Sequence, residues 1–437
     1  MGRIAANYPS MLTLRRSFSA ALLTLACLTL LLAPTAAHAE AQPRAVVAVI
    51  DSPANPYHEW YHAGGPLYGN TAPSSVTPEV LAEFGIDESH IIRMTRTGNF
   101  TNDFAADKAQ WDAIKPGEPY WFEGTNVIGI SFLTGTNNRL RPDGNVSTHG
   151  VGTTTAVLAA NPEAIVISVE SPGGPLTEFG TQPVGETWAF NHPAVDIITT
   201  SYGPPGSPPL GYSLKESYKG VVTNGKLHFG AADNSPAASP IDATAGPWWS
   251  IGVAGYHEGS GETRERVSGS YPDFVGDFTQ TLPYCRKCEK GTSSVSGTSF
   301  ATPRSAGTMS KILLEARRAV GHIGGIAMGG AAPSMVRAGA TDITNWELRR
   351  ALEDGAYYPA TPSTHYLDYS WGAITPDPSK GVVSETLGNL GFGQSTRNKG
   401  AETCNFMTAN ITARRAWWTA HPRSEGFNQT AFPYIAC

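Results

Sequence analysis

Four side chains that together support acyl transfer stand at the ends of predicted elements. Asp51 ends the apolar run AVVAVID and Asn234 follows the run KLHFGAAD, while His149 and Ser299 each precede a stretch of helical character. A serine becomes a strong nucleophile when a histidine takes its proton, the histidine needs an acid to fix its tautomer, and the oxyanion needs hydrogen-bond donors. The set therefore predicts a serine hydrolase.

Ser299 stands in the segment SSVSGTSFATPRSAG, which runs from Ser293 to Gly307. Apolar residues recur at helical spacing after it, and Pro303 fits the first turn of a helix, where backbone amides have no intrahelical partner. This pattern places Ser299 at a helix N-terminus, where free amides and the helix dipole would stabilise negative charge. The alternative is a purely structural role for Ser299 as the N-cap of that helix.

The elements that must position these side chains follow from the hydrophobic pattern. Short apolar, β-branched runs, typical of strands buried on both faces, are AVVAVID, VIGISFL, AIVISVE, VDIITTSYG, KLHFGAAD and WWSIGVAGY. Helical stretches follow His149 and Ser299, and a third begins at Asn345, where Thr344 and Glu347 have the spacing of a capping box. Strands that alternate with helices predict an α/β fold with a mostly parallel sheet, whose ligands bind outside the carboxyl ends of the strands.

Five ordered motifs between residues 45 and 376 resemble those of the subtilisin-like serine peptidases, the subtilases. They are AVVAVIDSPANPYHEWY, STHGVGTTTAVLA, TTSYGPP, FGAADNSP and SGTSFATPRSAG. Five motifs in one order are far more specific than any one of them. The resemblance implies an α/β, three-layer subtilisin-like fold, in which helices flank a mostly parallel central sheet.

The resemblance also implies a role for each of the four side chains in a secreted serine endopeptidase. Ser299 is expected to be the nucleophile, His149 the general base, and Asp51 the acid that orients it. Asn234 is expected to donate its side-chain amide to the oxyanion, together with the backbone amide of Ser299.

By the same resemblance, Ser201, Tyr202 and Gly203 would bind the backbone of a polypeptide substrate as an added strand. The chemistry requires no cofactor and no metal; structural calcium is frequent in the family, but no contiguous calcium loop is recognisable in the sequence. A net charge of -6 without a basic stripe argues against nucleic acid as a partner, and we expect a monomer.

Three positions depart from the family pattern. Asp233 precedes Asn234 where the family usually has glycine, Pro53 replaces a glycine after the aspartate, and Gly150 replaces a valine after the histidine. Asp233 would bring a carboxylate near the primary specificity pocket, so the preferred substrate side chain is left open. These substitutions also keep open an alternative of another class, an inactive subtilase-like domain that binds peptides or proteins without cutting them.

The spacing between Asp51 and His149, 98 positions, is wider than usual for the family and predicts a long insertion at about residues 52–140. We expect its aromatic residues to form mostly a core of the insertion, with a substrate-recognition wall as the alternative. They include Trp60, Tyr61, Phe84, Trp111, Tyr120 and Trp121. The predicted catalytic domain spans residues 40–376, and residues 377–437 form a C-terminal extension.

Residues 1–39 are typical of a secretory signal peptide. Arg15 and Arg16 precede an apolar run too short to span a membrane as a mature helix, and Ala37–Ala39 fits a small-residue cleavage site. Export would follow the Sec route or, because of the paired arginines, the twin-arginine route, and would leave a secreted protein without membrane attachment. Only Glu40 to Arg44 then precede the first strand, which leaves no room for the propeptide that secreted members commonly carry.

The mature chain would contain Cys285, Cys288, Cys404 and Cys437 in a compartment that permits disulfides. Four cysteines allow three pairings, and we favour Cys285 with Cys288 and Cys404 with Cys437 because the members of each pair are closest in sequence. A four-cysteine zinc site is the alternative.

The segment HEWYH, residues 58–62, matches the HExxH pattern of zinc metallopeptidases. On a helix, His58 and His62 would lie one turn apart and Glu59 would activate a zinc-bound water. Pro56 before the segment and Gly64 after it leave room for about two turns of helix, so zinc catalysis is the weaker alternative.

Overall fold

The computed structural model describes residues 42–135, 138–144, 147–170, 184–202, 214–234, 244–247, 249–259, 262, 265, 272–321, 343–358 and 370–397. The predicted signal peptide, Gly203, Cys404 and Cys437 lie outside these residues. The described residues from Pro43 onward belong to one compact unit.

Within these residues, nine strands form a single sheet. They are Val46–Asp51 (β1), Ile91–Ile92 (β2), Pro119–Phe122 (β3), Val127–Ser131 (β4), Ile165–Glu170 (β5), Ile197–Thr200 (β6), Leu227–Ala231 (β7), Ile251–Tyr256 (β8) and Phe274–Asp277 (β9). Their order is β2-β3-β4-β5-β1-β6-β7-β8-β9, and every neighbouring pair is parallel except β3 with β4. Two further strands, Thr279–Leu282 (β10) and Ser293–Ser296 (β11), form an antiparallel pair.

Eight α-helices are described. They are Pro78–Glu83 (α1), Phe100–Asp112 (α2), His149–Ala160 (α3), Val184–Asn191 (α4), Leu214–Tyr218 (α5), Thr298–Val320 (α6), Asn345–Gly355 (α7) and Val382–Asn389 (α8). Short 3-10 helices cover Glu59–Tyr61, Glu88–His90 and Pro378–Lys380, and a π-helix covers Lys219–Thr223.

The sheet separates two hydrophobic cores, because alternate side chains of a strand point to opposite faces. Val47 and Val49 of β1 pack in one core with residues of α3, α6, α7 and α8. Val46, Ala48 and Ile50 pack in the other core with residues of α4 and the π-helix. Helices therefore cover both faces of a mostly parallel sheet, and the predicted three-layer α/β fold is confirmed.

Most elements predicted from the hydrophobic pattern are confirmed. The six apolar runs correspond to β1, β4, β5, β6, β7 and β8, and the three helical stretches correspond to α3, α6 and α7. The Thr344–Glu347 capping box is formed, with Glu347 N donating to Thr344 Oγ1 at 3.1 Å. The placement of Pro303 in the first helical turn is wrong, because α6 begins at Thr298 and Pro303 is its sixth residue.

The segment between β1 and β4 adds β2 and β3 to one edge of the sheet and places α1 and α2 beside it. Of the six aromatic residues named above, Tyr61, Phe84, Trp111 and Tyr120 are buried, and Trp60 and Trp121 are half-buried. These residues are therefore mostly core residues, but they pack into three hydrophobic clusters shared with the rest of the fold and do not form one separate core of the insertion. Beyond residue 376, α8 packs against α6 and α7.

Candidate active site

Three neighbouring strands of the sheet, in the order β1-β6-β7, bring candidate residues to one edge. Asp51 is the last residue of β1, Ser201 follows β6, and Asn234 lies three residues after the end of β7. Because the three strands are parallel, their carboxyl ends meet at the same edge of the sheet. The predicted ligand-binding edge is therefore the one that carries these residues.

His149, the first residue of α3, contacts the carboxylate of Asp51. Its Nδ1 lies 2.7 Å from Asp51 Oδ2, which also accepts a hydrogen bond from Thr153 Oγ1 at 3.1 Å. Thr153 follows His149 by four residues, so both side chains lie on one face of the helix. Thr153 was not among the predicted site residues, although its spacing from His149 is the signal that identifies it.

The second carboxylate oxygen of Asp51 is held by the residue that follows it. Asp51 Oδ1 accepts hydrogen bonds from Ser52 N at 2.7 Å and Ser52 Oγ at 3.3 Å. The hydroxyl of Ser52 in turn accepts a hydrogen bond from Gly150 N at 2.8 Å. A Cβ at position 150 would overlap the Ser52 carbonyl, which explains why glycine stands there instead of valine.

Two opposing effects set the pKa of His149. Burial disfavours the charged imidazolium, while the negative charge of Asp51 and the hydrogen bond to it favour that form. The charge and the hydrogen bond prevail, so the pKa of His149 is raised above its ordinary value. Because Nδ1 donates to the carboxylate, Nε2 is the ring nitrogen that is left to accept a proton.

Ser299 is the second residue of α6, directly before Phe300, whose ring lies 5.4 Å from the His149 ring between centroids. The N-cap of α6 is Gly297, without a capping side chain, so the N-cap alternative for Ser299 is wrong. Within the described part of the chain, the Ser299 hydroxyl points to the Ser201 carbonyl at 3.4 Å, and no hydrogen bond joins it to His149. Such bonds are often loose in ligand-free enzymes and tighten when substrate binds.

The backbone carbonyl of Ser299 has a partner that follows from the sequence. In a regular helix this carbonyl would accept the N–H of residue 303, four positions later, but Pro303 has no N–H. Ser201 Oγ donates to it instead, at 2.9 Å. The proline thus allows the end of β6 to be tied directly to the residue that is the candidate nucleophile.

Asn234 is exposed, and the oxygen of its side-chain amide is held by hydrogen bonds. Its Oδ1 accepts hydrogen bonds from Thr298 N at 2.9 Å and from Thr298 Oγ1 at 3.1 Å. With the oxygen engaged by Thr298, the first residue of α6, Nδ2 is left as a donor at the N-terminus of that helix. This arrangement suits a group that stabilises an oxyanion.

The comparisons with known proteins decide the family. The model of the subtilase family matches residues 43–319, which is more than half of the chain. The chain is a subtilase. Its peptidase domain thus belongs to a family that acts on polypeptides, and none of the curated proteins searched matches it.

Solved structures that resemble this subtilase are proteases, but the likenesses are weak. The prenylagaramide maturation protease PagA is 13% identical, with a TM-score of 0.45, covering 80% of this chain and 95% of that one. The protease domain of PatA is 14% identical, with a TM-score of 0.46, covering 82% and 100%. A lanthipeptide protease is 13% identical, with a TM-score of 0.44, covering 80% and 89%.

Asp233 of the subtilase occupies a backbone conformation that favours glycine, with a φ of 125°. Its Oδ1 accepts a hydrogen bond from Asn234 N at 2.6 Å, while its Oδ2 is buried and makes no hydrogen bond. The family's usual glycine would adopt this φ without strain. The side-chain contact to Asn234 N is therefore a local compensation for the substitution.

The expected substrate-binding strand is described only in part. Ser201 and Tyr202 directly follow β6, and Gly203 lies outside the described residues. The Tyr202 hydroxyl donates to Glu186 Oε1 at 2.6 Å, and burial raises the pKa of that carboxyl. Among the described helices, none combines the length and apolar character needed to cross a bilayer.

The HEWYH segment does not form the helix that the zinc motif requires. Its only helical residues are the three of Glu59–Tyr61, and the flanking His58 and His62 have extended backbones. His58 Nε2 lies 2.9 Å from the Gly291 carbonyl, and His62 Nε2 lies 2.7 Å from the Pro56 carbonyl. The two imidazoles are thus engaged separately, which does not favour zinc peptidase chemistry.

A loop that contains a disulfide supports the residues beside Asp51 and His149. Cys285 is joined to Cys288, which is the favoured pairing. Between them, Arg286 donates from Nη1 to the carbonyls of Pro53, at 3.0 Å, and Ser147, at 3.3 Å. Burial lowers the pKa of this guanidinium to about 10. Arg286 could not be predicted from the sequence, because its partners lie more than 130 positions away.

Proposed function

We propose that this subtilase is a serine endopeptidase that hydrolyses peptide bonds through Asp51, His149 and Ser299. The observation that carries the proposal is the 2.7 Å contact between His149 Nδ1 and Asp51 Oδ2, beside helix α6, whose second residue is the candidate nucleophile. Ser299 Oγ attacks the scissile carbonyl while His149 Nε2 takes its proton. The same nitrogen then returns the proton to the leaving amine, and Asp51 stabilises the imidazolium.

The oxyanion of the tetrahedral intermediate is stabilised by two donors in this proposal. They are Asn234 Nδ2, whose amide is oriented by Thr298, and the backbone N–H of Ser299. The substrate backbone pairs with residues 201–203 as an added strand, so binding depends little on side-chain identity. The reaction uses only groups of the chain, and we further propose that the enzyme is exported by its N-terminal 39 residues.

The proposal is tested by treating the folded protein with a fluorophosphonate, with and without a zinc chelator, followed by intact-mass and peptide-mapping measurements. A single adduct is expected on Ser299, because a fluorophosphonate labels only an activated serine. The adduct should be unaffected by the chelator and absent in His149→Ala. Ser299→Ala serves as the matched control, since it removes the nucleophile and leaves the rest of the site.

Two other outcomes would support the alternatives. A folded protein that binds peptides, cuts none and gains no adduct would be an inactive binding domain. Cleavage that stops with the chelator, without an adduct, would point to the zinc chemistry of His58, Glu59 and His62. The geometry of the HEWYH segment leads us not to expect the zinc chemistry, and the contact between His149 and Asp51 leads us not to expect an inactive domain.

A further inference from the structure

Among the residues that the structure describes, one cluster of metal-ligating side chains lies outside those assigned to peptide hydrolysis. It consists of His58, Cys285 and Cys288, whose ligand atoms all lie within 4.8 Å of one another. We propose that this cluster binds Zn²⁺ when the two cysteines are reduced, and that the disulfide is the metal-free form of the same site. None of the three side chains has a role in the proposed peptide hydrolysis.

The separations fit a tetrahedral zinc site. With bonds of about 2.0 to 2.3 Å, tetrahedral zinc holds its ligand atoms roughly 3.3 to 3.8 Å apart. One ring nitrogen of His58 and the two sulfur atoms already lie within 4.8 Å of one another, so the sulfur atoms need to separate on reduction. The two cysteines also have the two-residue spacing that is common in zinc knuckles.

The environment of His58 prepares one ring nitrogen for a metal. His58 Nε2 is bonded to the Gly291 carbonyl at 2.9 Å, and a carbonyl can only accept, so Nε2 carries the hydrogen. Nδ1 therefore carries the lone pair, and its partner is Trp60 N at the long distance of 3.3 Å. A histidine that binds a metal through one nitrogen typically donates the other N–H to a carbonyl, as here.

The backbone of the two cysteines is held by a neighbouring amide. Asn55 Nδ2 donates to the carbonyl of Cys285 at 3.0 Å and to that of Cys288 at 2.7 Å. The same nitrogen lies 3.9 Å from Cys288 Sγ, and its two hydrogens serve the two carbonyls. The loop is therefore anchored by contacts that do not require the disulfide.

Zinc can bind only after the disulfide between Cys285 and Cys288 is reduced, for which a trialkylphosphine is the reductant. A trialkylphosphine and one water convert the disulfide to two thiols, while the phosphine becomes its oxide. Zn²⁺ then binds the two sulfurs and His58 Nδ1, and the two thiol protons are released to solvent. The fourth position is left to water, as in zinc sites with three protein ligands.

The test is a metal titration of the phosphine-reduced full chain with Cys27, Cys404 and Cys437 replaced by serine, so that only this cysteine pair remains. Co²⁺ is added first, because thiolate-to-cobalt absorption reports sulfur ligation and the visible bands report tetrahedral geometry; Zn²⁺ then competes. We expect one equivalent of metal per chain. Binding should be absent before reduction and in Cys285→Ser.

The matched variants separate this site from the HExxH pattern. His58→Asn keeps an acceptor for Trp60 N but offers no imidazole, and should weaken binding by more than about 10-fold, the effect of losing even an outer-shell partner. His62→Asn should change the affinity less than twofold. The proposal is overturned if reduced, folded protein binds no metal, if His58→Asn binds as the parent does, or if His62→Asn weakens binding equally. Unfolding on reduction, seen by circular dichroism, would overturn it as well.

Discussion

Asp51 uses both carboxylate oxygens, one toward His149 and Thr153 and the other toward Ser52. Replacing it by asparagine removes the charge that raises the pKa of His149, so that pKa should fall. Since neutral His149 is the active base, the acid limb of kcat/KM should lie above pH 6.5 in the parent enzyme and move to lower pH in Asp51→Asn. The turnover should drop by about 10,000-fold, because the imidazole loses its tautomer.

The measurement is a pH profile of kcat/KM for both proteins. Asp354→Asn is the control, because that carboxylate pairs with Arg350 on α7 and has no contact with the site. An unchanged acid limb in Asp51→Asn would contradict the assignment of His149 as the base oriented by Asp51.

Asn234 should stabilise the transition state and contribute little to substrate binding. Asn234→Ala removes the Nδ2 donor that Thr298 orients, so kcat should fall by about 100- to 1,000-fold while KM changes little; the range is the one known for a subtilisin. Steady-state kinetics with a peptide substrate separate the two constants, and Asn102→Ala on the exposed side of α2 is the control. A rise in KM at constant kcat would mean that Asn234 only binds substrate.

Among elements, the crossing of α3 with α6 matters most, because α3 begins with His149 and α6 carries Ser299. At this crossing a Cβ on Gly307 would overlap the Val157 carbonyl and press on Ala160. Gly307→Ala should therefore push the helices apart and destabilise the fold by about 1 to 3 kcal/mol. The turnover should also fall, by up to about 100-fold for a displacement of 1 Å.

Urea unfolding and kcat measured on the folded fraction test both parts of this prediction. Lys311→Ala lies on the same helix, partly exposed, and should alter neither quantity by much. A variant at Gly307 that loses stability but keeps full turnover would show that the crossing does not set the spacing of the two side chains.

The elements also show where prediction from sequence succeeds and where it stops. Strands such as β1 and β5 are buried on both faces, so they read as continuous apolar runs and were predictable. The two-residue β2 at the edge of the sheet leaves no periodic signal. The spacing in HEWYH fits a helix, but contacts of His58 with Gly291 and of His62 with Pro56 hold those residues extended instead.

For the site, residue type and position at strand ends predicted Asp51 and Asn234, because parallel strands present their carboxyl ends together. Thr153 required only helical spacing from His149 and was within reach of sequence reasoning. Arg286 was not, because its role depends on backbone carbonyls brought to it by the tertiary fold.

At the scale of the whole molecule, α6 runs from the candidate site, at the carboxyl ends of the strands, to the amino ends of β1 and β6. Its 23 residues span roughly 34 Å, and Arg317 near its C-terminus is fully buried. Arg317 donates to both carboxylate oxygens of Asp196, at 2.8 Å and 2.6 Å, just before β6. Asp196 Oδ2 also accepts Val46 N at 2.9 Å, so one ion pair ties α6, β6 and β1 together.

Replacing only one partner of this ion pair should destabilise the fold more than replacing both partners by neutral residues. Arg317→Met leaves the Asp196 carboxylate buried without its cation and should destabilise the fold by about 3 to 5 kcal/mol. Adding Asp196→Asn removes that charge and keeps an acceptor for Val46 N, so the double variant should recover about 1 kcal/mol or more. Urea unfolding of the three variants measures the coupling. Since the pair lies at the far end of α6, kcat of the folded protein should stay within about twofold of the parent. Additive losses of stability in the double variant would show that the two side chains are not coupled. A large fall in kcat would show that the ion pair also affects the candidate site.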